Sequence, residues 1–182
     1  MQSKTLDGQS HRILLKRYNH KHNHNYKNEG NTMHPNTPTY YIAGYNSSGN
    51  TTRKLQAHIP QLLELTYDVL QPATSLAQMA RQIQQTNALT ITLIASSLGG
   101  WYAERLSAVI AEAVTDSVTD TAPNIHLHLI LYNPPINAET NLAKYELPAA
   151  VLDEYTTLKN QCPSVFASHT RSVIVSIDDD VV

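Results

Sequence analysis

The chain has 182 residues, with 13 Lys and Arg against 15 Asp and Glu, nine His and one Cys. This length suits one domain with a buried core, and the net charge of −2 gives no electrostatic case for nucleic acid or an acidic membrane, where a basic stripe would be expected. The single cysteine, Cys162, excludes an internal disulfide framework and fits a reducing compartment. No apolar run approaches the roughly 18–20 residues of a membrane span, and the polar start does not resemble a secretory signal. We therefore expect a cytoplasmic globular protein.

Composition changes sharply near residue 38. Residues 1–38 are crowded with Asn, His, Lys, Gln and Ser, and they include the run His20, His22 and His24. Such a segment buries too little apolar surface to offset its ordering entropy. We predict that residues 1–38 are a disordered extension, in which Met33 is an alternative translation start, and that residues 39–182 form the folded domain.

From residue 39 onward, strand-like and helix-like stretches alternate. The predicted strands are short β-branched or apolar runs, at 39–43, 67–70, 89–95, 125–132 and 172–177. The predicted helices carry apolar residues at spacings of three and four, at 51–65, 75–85, 100–114 and in parts of 139–161 on either side of Pro148. This alternation predicts an α/β fold, with a mostly parallel sheet of about five strands and helices on both faces.

The most specific motif follows the predicted strand 89–95. That strand runs through Ala95 into Ser96-Ser97-Leu98-Gly99-Gly100 and then into a helix. Strand, tight turn and helix around one serine match the nucleophile elbow G-x-S-x-G, with Ala95 at the first glycine position. Small neighbours are needed because the serine takes a strained conformation and the strand and helix pass close beside it. Ser97 is the candidate nucleophile, and the Leu98 N–H at the helix N-terminus is a candidate oxyanion donor.

Further candidate residues follow two other predicted strands. Gly44 permits close approach of the backbone after the first strand, and the N–H of the next residue, Tyr45, is the candidate second oxyanion donor. Gly44, Asn46 and Asn133 are the candidate substrate-binding residues, since all three follow strands at the edge where Ser97 is expected. Turn chemistry for the first loop and simple strand termination at Asn133 are the alternative interpretations.

An acidic run, Asp178-Asp179-Asp180, follows the last predicted strand. An acid at the carboxyl end of a parallel strand lies at the same sheet edge as Ser97, where it can hold a histidine in the correct tautomer. A solvated turn is the alternative interpretation of this run.

The stretches YYIAGYNSSG, LIASSLGGWYAERL, LILYNPPINAE and VIVSIDDDVV occur in this order. Together they resemble the YqiA/YcfP-like family of small esterase-like proteins with the α/β-hydrolase fold, over about residues 39–182. The resemblance implies a three-layer fold, Ser97 as the nucleophile and Asp179 as the acid of the triad. The sequence departs from the family at Ala43, where a histidine that helps to shape the oxyanion loop usually precedes the glycine.

The histidine base of the triad has no evident position. In this fold the triad order is serine, acid, histidine, and Asp179 lies three residues before Val182. We therefore expect the base, the last strand and the last helix to be missing from this chain. The histidines of the folded part are predicted at the opposite sheet edge, namely His58, His126, His128 and His169. His126 and His128 share a strand face, but two ligands without a carboxylate or cysteine do not define a metal site, so no metal and no cofactor is predicted.

The sequence thus predicts a serine hydrolase that acts on a carboxyl ester or thioester. A small-molecule substrate is the expected partner, with no nucleic acid and no membrane. The alternative is a catalytically inactive α/β-hydrolase-like binding protein. A flavodoxin-like nucleotide binder is disfavoured because no glycine-rich phosphate loop follows the first strand. Next to the elbow, Trp101 and Tyr102 are predicted to pack the helix on the sheet, and Glu104 and Arg105 to be charges on the helix surface.

Overall fold

A computed structural model describes residues 14–16, 37–115, 125–135, 137–162 and 170–175. The strands, in chain order, are β1 (Leu14–Lys16), β2 (Thr39–Ile42), β3 (Leu63–Glu64), β4 (Thr90–Ser96), β5 (His126–Tyr132) and β6 (Thr170–Val175). The helices are α1 (Asn50–His58), α2 (Pro72–Gln84), α3 (Leu98–Thr115), α4 (Ala138–Ala143) and α5 (Ala149–Gln161). No helix among these residues is both long and apolar enough to cross a membrane.

The strands form one sheet in the order β1-β6-β5-β4-β2-β3. Strands β2 to β6 are parallel, and β1 pairs antiparallel with β6. The carboxyl ends of β2 and β4 are level with each other, because Ile42 pairs with Ala95. The predicted α/β class with a mostly parallel sheet is confirmed, and the loops after β2, β4 and β5 emerge at one edge.

The helices cover both faces of this sheet. Strand–helix–strand crossovers are right-handed. The connection from β2 to β3 runs in one direction across the sheet, which places α1 on one face. The connections from β3 to β4, β4 to β5 and β5 to β6 run in the other direction, which places the remaining helices on the opposite face. On that second face, α2 packs against α3 and α5. The core lies there, because alternate residues of the two central strands are fully buried against α3, namely Ile91, Leu93, Ala95, Leu127, Leu129 and Leu131. The fold therefore has three layers.

Two predicted elements around residue 60 are wrong. Helix α1 ends at His58, whereas a helix was predicted through residue 65, and the short strand lies at Leu63–Glu64 rather than at 67–70. Pro60 explains the early end, because it lacks an amide hydrogen and cannot continue a helix. Leu62 and Leu65, on either side of β3, are buried, so their apolar character reflects packing outside a helix.

The N-terminal segment contributes one short strand. Within residues 1–38, Leu14–Lys16 pairs with Val173–Val175 along the edge of β6. Residues 37–38 lead into β2. Residues 1–13 and 17–36 lie outside the described residues, and disorder there stays a prediction.

Candidate active site

Ser97 lies alone between β4, which ends at Ser96, and α3, which begins at Leu98. Its φ is +48°, in the left-handed region that non-glycine residues rarely adopt, and its side chain is exposed. The turn is held at both ends of the residue, because the Ser97 N–H donates to the Tyr132 carbonyl at 2.9 Å and its own carbonyl accepts from Gly100 at 2.8 Å. The strained serine is thus fixed between the ends of two central strands.

Two glycines allow the start of α3 to lie against neighbouring backbone. A β-carbon on Gly99 would stand 2.6 Å from the carbonyl oxygen of Ala43 and closer still to that of Ile42. A β-carbon on Gly100 would stand 2.7 Å from the ring of Pro134. The helix N-terminus is therefore packed between the loops after β2 and β5, which brings these loops beside Ser97.

Leu98 is the first residue of α3, and its side chain is buried. The first four amides of a helix have no partner within the helix, and they carry the positive end of its dipole. The Leu98 amide therefore lies where a negative oxygen bound to Ser97 would be stabilised. This is the location that an oxyanion donor requires.

The loop after β2 lies directly against the turn at Ser97. A β-carbon on Gly44 would be 3.1 Å from Cβ of Ser97 and 3.7 Å from its Oγ, so only a glycine leaves this approach open. Tyr45 follows, and its ring packs edge to face on Tyr145 with 4.9 Å between centroids. Asn46 is exposed at φ +58°, and the N–H of Ser47 closes the turn on the carbonyl of Gly44 at 3.2 Å. The structure therefore brings Gly44, and with it the Tyr45 loop, to Ser97.

A cleft of about 190 Å³ opens beside this loop. It is lined by the loop after β2 and by the segment that contains the end of β3, namely Ala43, Gly44, Tyr45, Asn46, Ser47, Glu64, Leu65, Thr66 and Tyr67. Gly44 belongs both to this lining and to the contact with Ser97. The cleft therefore adjoins the contact with Ser97 through Gly44, and sequence reasoning had not included its second wall.

Asn133 lies at the same sheet edge, immediately after β5. Its φ is +44°, its N–H donates to the carbonyl of Ile174 at 2.9 Å, and it is half-buried. The structure places it one residue after Tyr132, whose carbonyl holds Ser97. Asn133 therefore borders the turn at Ser97, and its backbone hydrogen bond joins the ends of β5 and β6.

The described histidines lie away from Ser97. His126 pairs with Thr90 and His128 with Thr92 at the amino end of the sheet, and His58 ends α1, which returns toward that edge. The ring centroids of His126 and His128 are 4.8 Å apart, and His126 Nε2 lies 3.1 Å from Oγ1 of Thr170. Among the residues that the structure describes, no three His, Cys, Asp or Glu side chains come together as a metal site needs.

Asp179 and His169 lie outside the described residues. The assignment of Asp179 as the acid therefore stays a prediction.

Buried tyrosines support the elbow from both sides of the sheet. Tyr41 Oη and Ser96 Oγ form a 2.8 Å hydrogen bond immediately before Ser97. On the other face, Tyr102 and Tyr155 join their hydroxyls at 2.7 Å, and Tyr155 donates to the carbonyl of Val69. Burial raises the pKa of Tyr102 above its usual value and that of Tyr155 to about 12, so these hydroxyls stay protonated at neutral pH. A hydroxyl that stays protonated at neutral pH does not act as a base there.

The prediction that Glu104 and Arg105 lie on the helix surface is wrong. They are only 8% and 6% exposed. Glu104 pairs with Arg171 of β6, and Arg105 donates to the carbonyl of Cys162 at 2.7 Å. Burial raises the pKa of Glu104 and lowers that of Arg105, although the opposite charges work against both shifts. This network ties α3 to β6 and to the end of α5, and no local sequence pattern reveals a partner so distant in the chain.

An exposed serine at positive φ, between a buried parallel strand and a helix, with a glycine loop against it, resembles the nucleophile elbow of α/β-hydrolases in its geometry. The model of the uncharacterised protein family UPF0227 matches residues 39–181. The chain belongs to this family, which is the YqiA/YcfP-like family that its motifs resemble. No curated protein matches the chain.

Proposed function

We propose that this protein is a serine hydrolase that cleaves a carboxyl ester or a thioester. The observation that carries the proposal is the position of Ser97, which is exposed at φ +48° where the central strand meets α3. A serine that served only packing would not need a conformation that costs about 1–2 kcal/mol. Strain of this kind persists where it presents a reactive group.

The proposed chemistry begins with attack of Ser97 Oγ on the substrate carbonyl carbon. The carbonyl oxygen becomes negative, and the amides of Leu98 and Tyr45 are the proposed donors to it. Collapse of this intermediate breaks the bond to the alcohol or thiol and leaves an acyl group on Ser97. Water then attacks the acyl carbon, and the acid is released as Ser97 regains its proton.

The proton from Ser97 requires a base, and the triad order predicts a histidine after Asp179. The histidines at 58, 126 and 128, which are the described ones, lie at the far edge of the sheet. Asp179 is the proposed group that would orient the base. Without a base, an elbow and an oxyanion hole still accelerate hydrolysis by about 10³–10⁴ over water. We therefore propose that the chain accelerates ester hydrolysis by at least this residual factor.

The size of the cleft favours a small substrate group. Its volume of about 190 Å³ is below the roughly 300–1,000 Å³ of pockets that bind drug-sized ligands. The lining combines the aromatic rings of Tyr45 and Tyr67 with the polar side chains of Asn46, Ser47 and Thr66. We propose that short-chain acyl esters fit this cleft better than long lipids.

The proposal is tested with a fluorophosphonate probe, which reacts with activated serines. We expect the wild-type protein to be labelled and the Ser97→Ala variant to be unlabelled. Ser48→Ala is the matched control, because Ser48 is an exposed serine in the loop beside the elbow and should leave labelling unchanged. Undiminished labelling of Ser97→Ala would contradict the proposal.

A catalytically inactive binding protein is the second candidate. It is favoured by Ala43 and Ala95, which stand at motif positions usually held by other residues, and by the distance of the described histidines from Ser97. This candidate predicts that neither the probe nor short-chain p-nitrophenyl esters react with the protein. Turnover that depends on Ser97 would exclude it.

A further inference from the structure

Tyr145 lies in the turn between α4 and α5, far from the elbow in sequence, yet its ring contacts that of Tyr45. The two centroids are 4.9 Å apart and the planes meet at 81°, which is the edge-to-face geometry that aromatic pairs prefer. We propose that Tyr145 is a positioning residue for the oxyanion loop, because its ring holds Tyr45 and thereby the backbone amide proposed as the second donor. This inference rests in part on the proposed function.

The loop that carries Tyr45 needs an anchor from outside itself. Asn46 and Ser47 are exposed, Asn46 is at φ +58°, and the turn closes through a 3.2 Å hydrogen bond from Ser47 to Gly44. Exposed loops open more readily than buried strands and helices. The Tyr45 side chain is the part of the loop that packs partly onto the core, so whatever fixes this ring also fixes the amide of the same residue.

Tyr145 is attached to a rigid support. Its N–H donates at 2.9 Å to the carbonyl of Leu142, a residue of α4 whose side chain is buried in the core. The following residue, Glu146, is at φ +56°, and Lys144 Nζ lies 5.3 Å from the centre of the Tyr145 ring. The turn is thus anchored on the buried Leu142, and it holds the Tyr145 ring against the loop after β2.

The ring of Tyr145 contributes little to the core, because 43% of its surface is exposed. Its removal should therefore change global stability much less than removal of a buried tyrosine. An oxyanion donor acts in the transition state rather than on the bound substrate, so a displaced donor lowers kcat and leaves KM nearly unchanged. Loss of one donor costs about 10²–10³ in kcat, and a donor that is loosened but present should cost about tenfold.

The test compares Tyr145→Ala with Tyr145→Phe, which keeps the ring. Leu89→Ala is the control, because Leu89 is an exposed apolar residue at the opposite sheet edge. We expect Tyr145→Ala to lower kcat for a short-chain p-nitrophenyl ester about tenfold with KM nearly unchanged, and the other two variants to resemble wild type. A loss of kcat in Tyr145→Phe equal to that in Tyr145→Ala, or a change in KM alone, would overturn the inference.

A second measurement does not depend on turnover. Amide hydrogen exchange in a peptide covering residues 43–49 should be faster by several-fold in Tyr145→Ala and unchanged in Tyr145→Phe, with thermal unfolding confirming that all variants are folded. Unchanged exchange in Tyr145→Ala overturns the inference even if esters are hydrolysed. Faster exchange in a protein that hydrolyses no ester and takes no probe on Ser97 supports the role of Tyr145 and contradicts the proposed function alone.

Discussion

Gly44 stands against Ser97 so closely that a β-carbon on the glycine would lie 3.1 Å from Cβ and 3.7 Å from Oγ of the serine. Contacts of 3.1 Å require one partner to shift by a few tenths of an ångström. The partner here is the proposed nucleophile itself. The glycine is therefore a requirement of the site rather than of the chain conformation, and this distinction can be measured.

Gly44→Ala should lower the rate of fluorophosphonate labelling by about tenfold, because small displacements of a reacting atom are costly. The free energy of unfolding in urea should change little. Gly49→Ala is the matched control. A β-carbon on Gly49 would meet open space, so this variant tests only the cost of a side chain at φ +73°. That variant should lose about 1 kcal/mol of stability and keep its labelling rate. Equal labelling of Gly44→Ala and wild type would contradict this interpretation of Gly44.

Ser97→Gly and Ser97→Ala should both abolish labelling but differ in stability. Alanine keeps the cost of the +48° φ, whereas glycine adopts this conformation freely. We expect the glycine variant to be more stable than the alanine variant by about 1 kcal/mol, as measured by urea unfolding. An alanine variant as stable as the glycine variant would show that Ser97 carries no backbone strain.

Gly99→Ala should destabilise the protein, although alanine is the better helix former in isolation. Its β-carbon would overlap the carbonyl oxygens of Ile42 and Ala43, which are backbone atoms that cannot swing away. We expect a loss of about 2–3 kcal/mol, typical of overpacking, together with reduced labelling of Ser97. Gln78→Ala, on the exposed side of α2, should change stability by less than about 0.5 kcal/mol.

His128 should make stability depend on pH. Burial lowers the pKa of His128 below its ordinary 6.5, and the neighbouring His126 lowers it further. As pH falls below 6.5, the unfolded chain therefore takes up a proton before the folded protein does. Stability contributed by neutral His128 is present above pH 6.5 and is lost as pH falls through the lower pKa of the folded state.

The measurement is the free energy of unfolding of wild type and His128→Gln between pH 7.5 and about 5. The advantage of wild type over the variant should shrink as pH falls. His58→Gln, at an exposed position at the end of α1, serves as the control. A difference between wild type and His128→Gln that stays constant with pH would contradict the prediction.

The elbow was predictable because its chemistry is local. A buried strand, one serine and a run of small residues lie within a dozen positions of each other, and every one of them is dictated by the same close packing. The parallel sheet was predictable for a related reason, since strand-like and helix-like stretches alternate along the chain. Ser97, Leu98 and Gly44 therefore stand where their neighbours in sequence require them.

Features that depend on distant partners were not predictable. The sequence around Glu104 predicts a surface charge, because its partner Arg171 lies on β6, far away in the chain. The sequence gives no sign that Tyr145 contacts Tyr45, because the two residues are a hundred positions apart and only the fold brings them together. The second wall of the cleft was missed because residues 51–65 were predicted as one helix, whereas α1 ends at His58.

The pairing of Ile42 with Ala95 limits where residues can be inserted into or deleted from this protein. Deleting one residue from Thr39–Ile42 would pull the adjoining glycine loop back by about 3.3 Å and reverse which side chains of that strand face the core. At the other rim of the sheet, the turn at residues 85–89 bears on neither the serine nor its neighbours. Grafted peptides, tags or split points belong at that rim, where added length leaves the two reactive loops aligned.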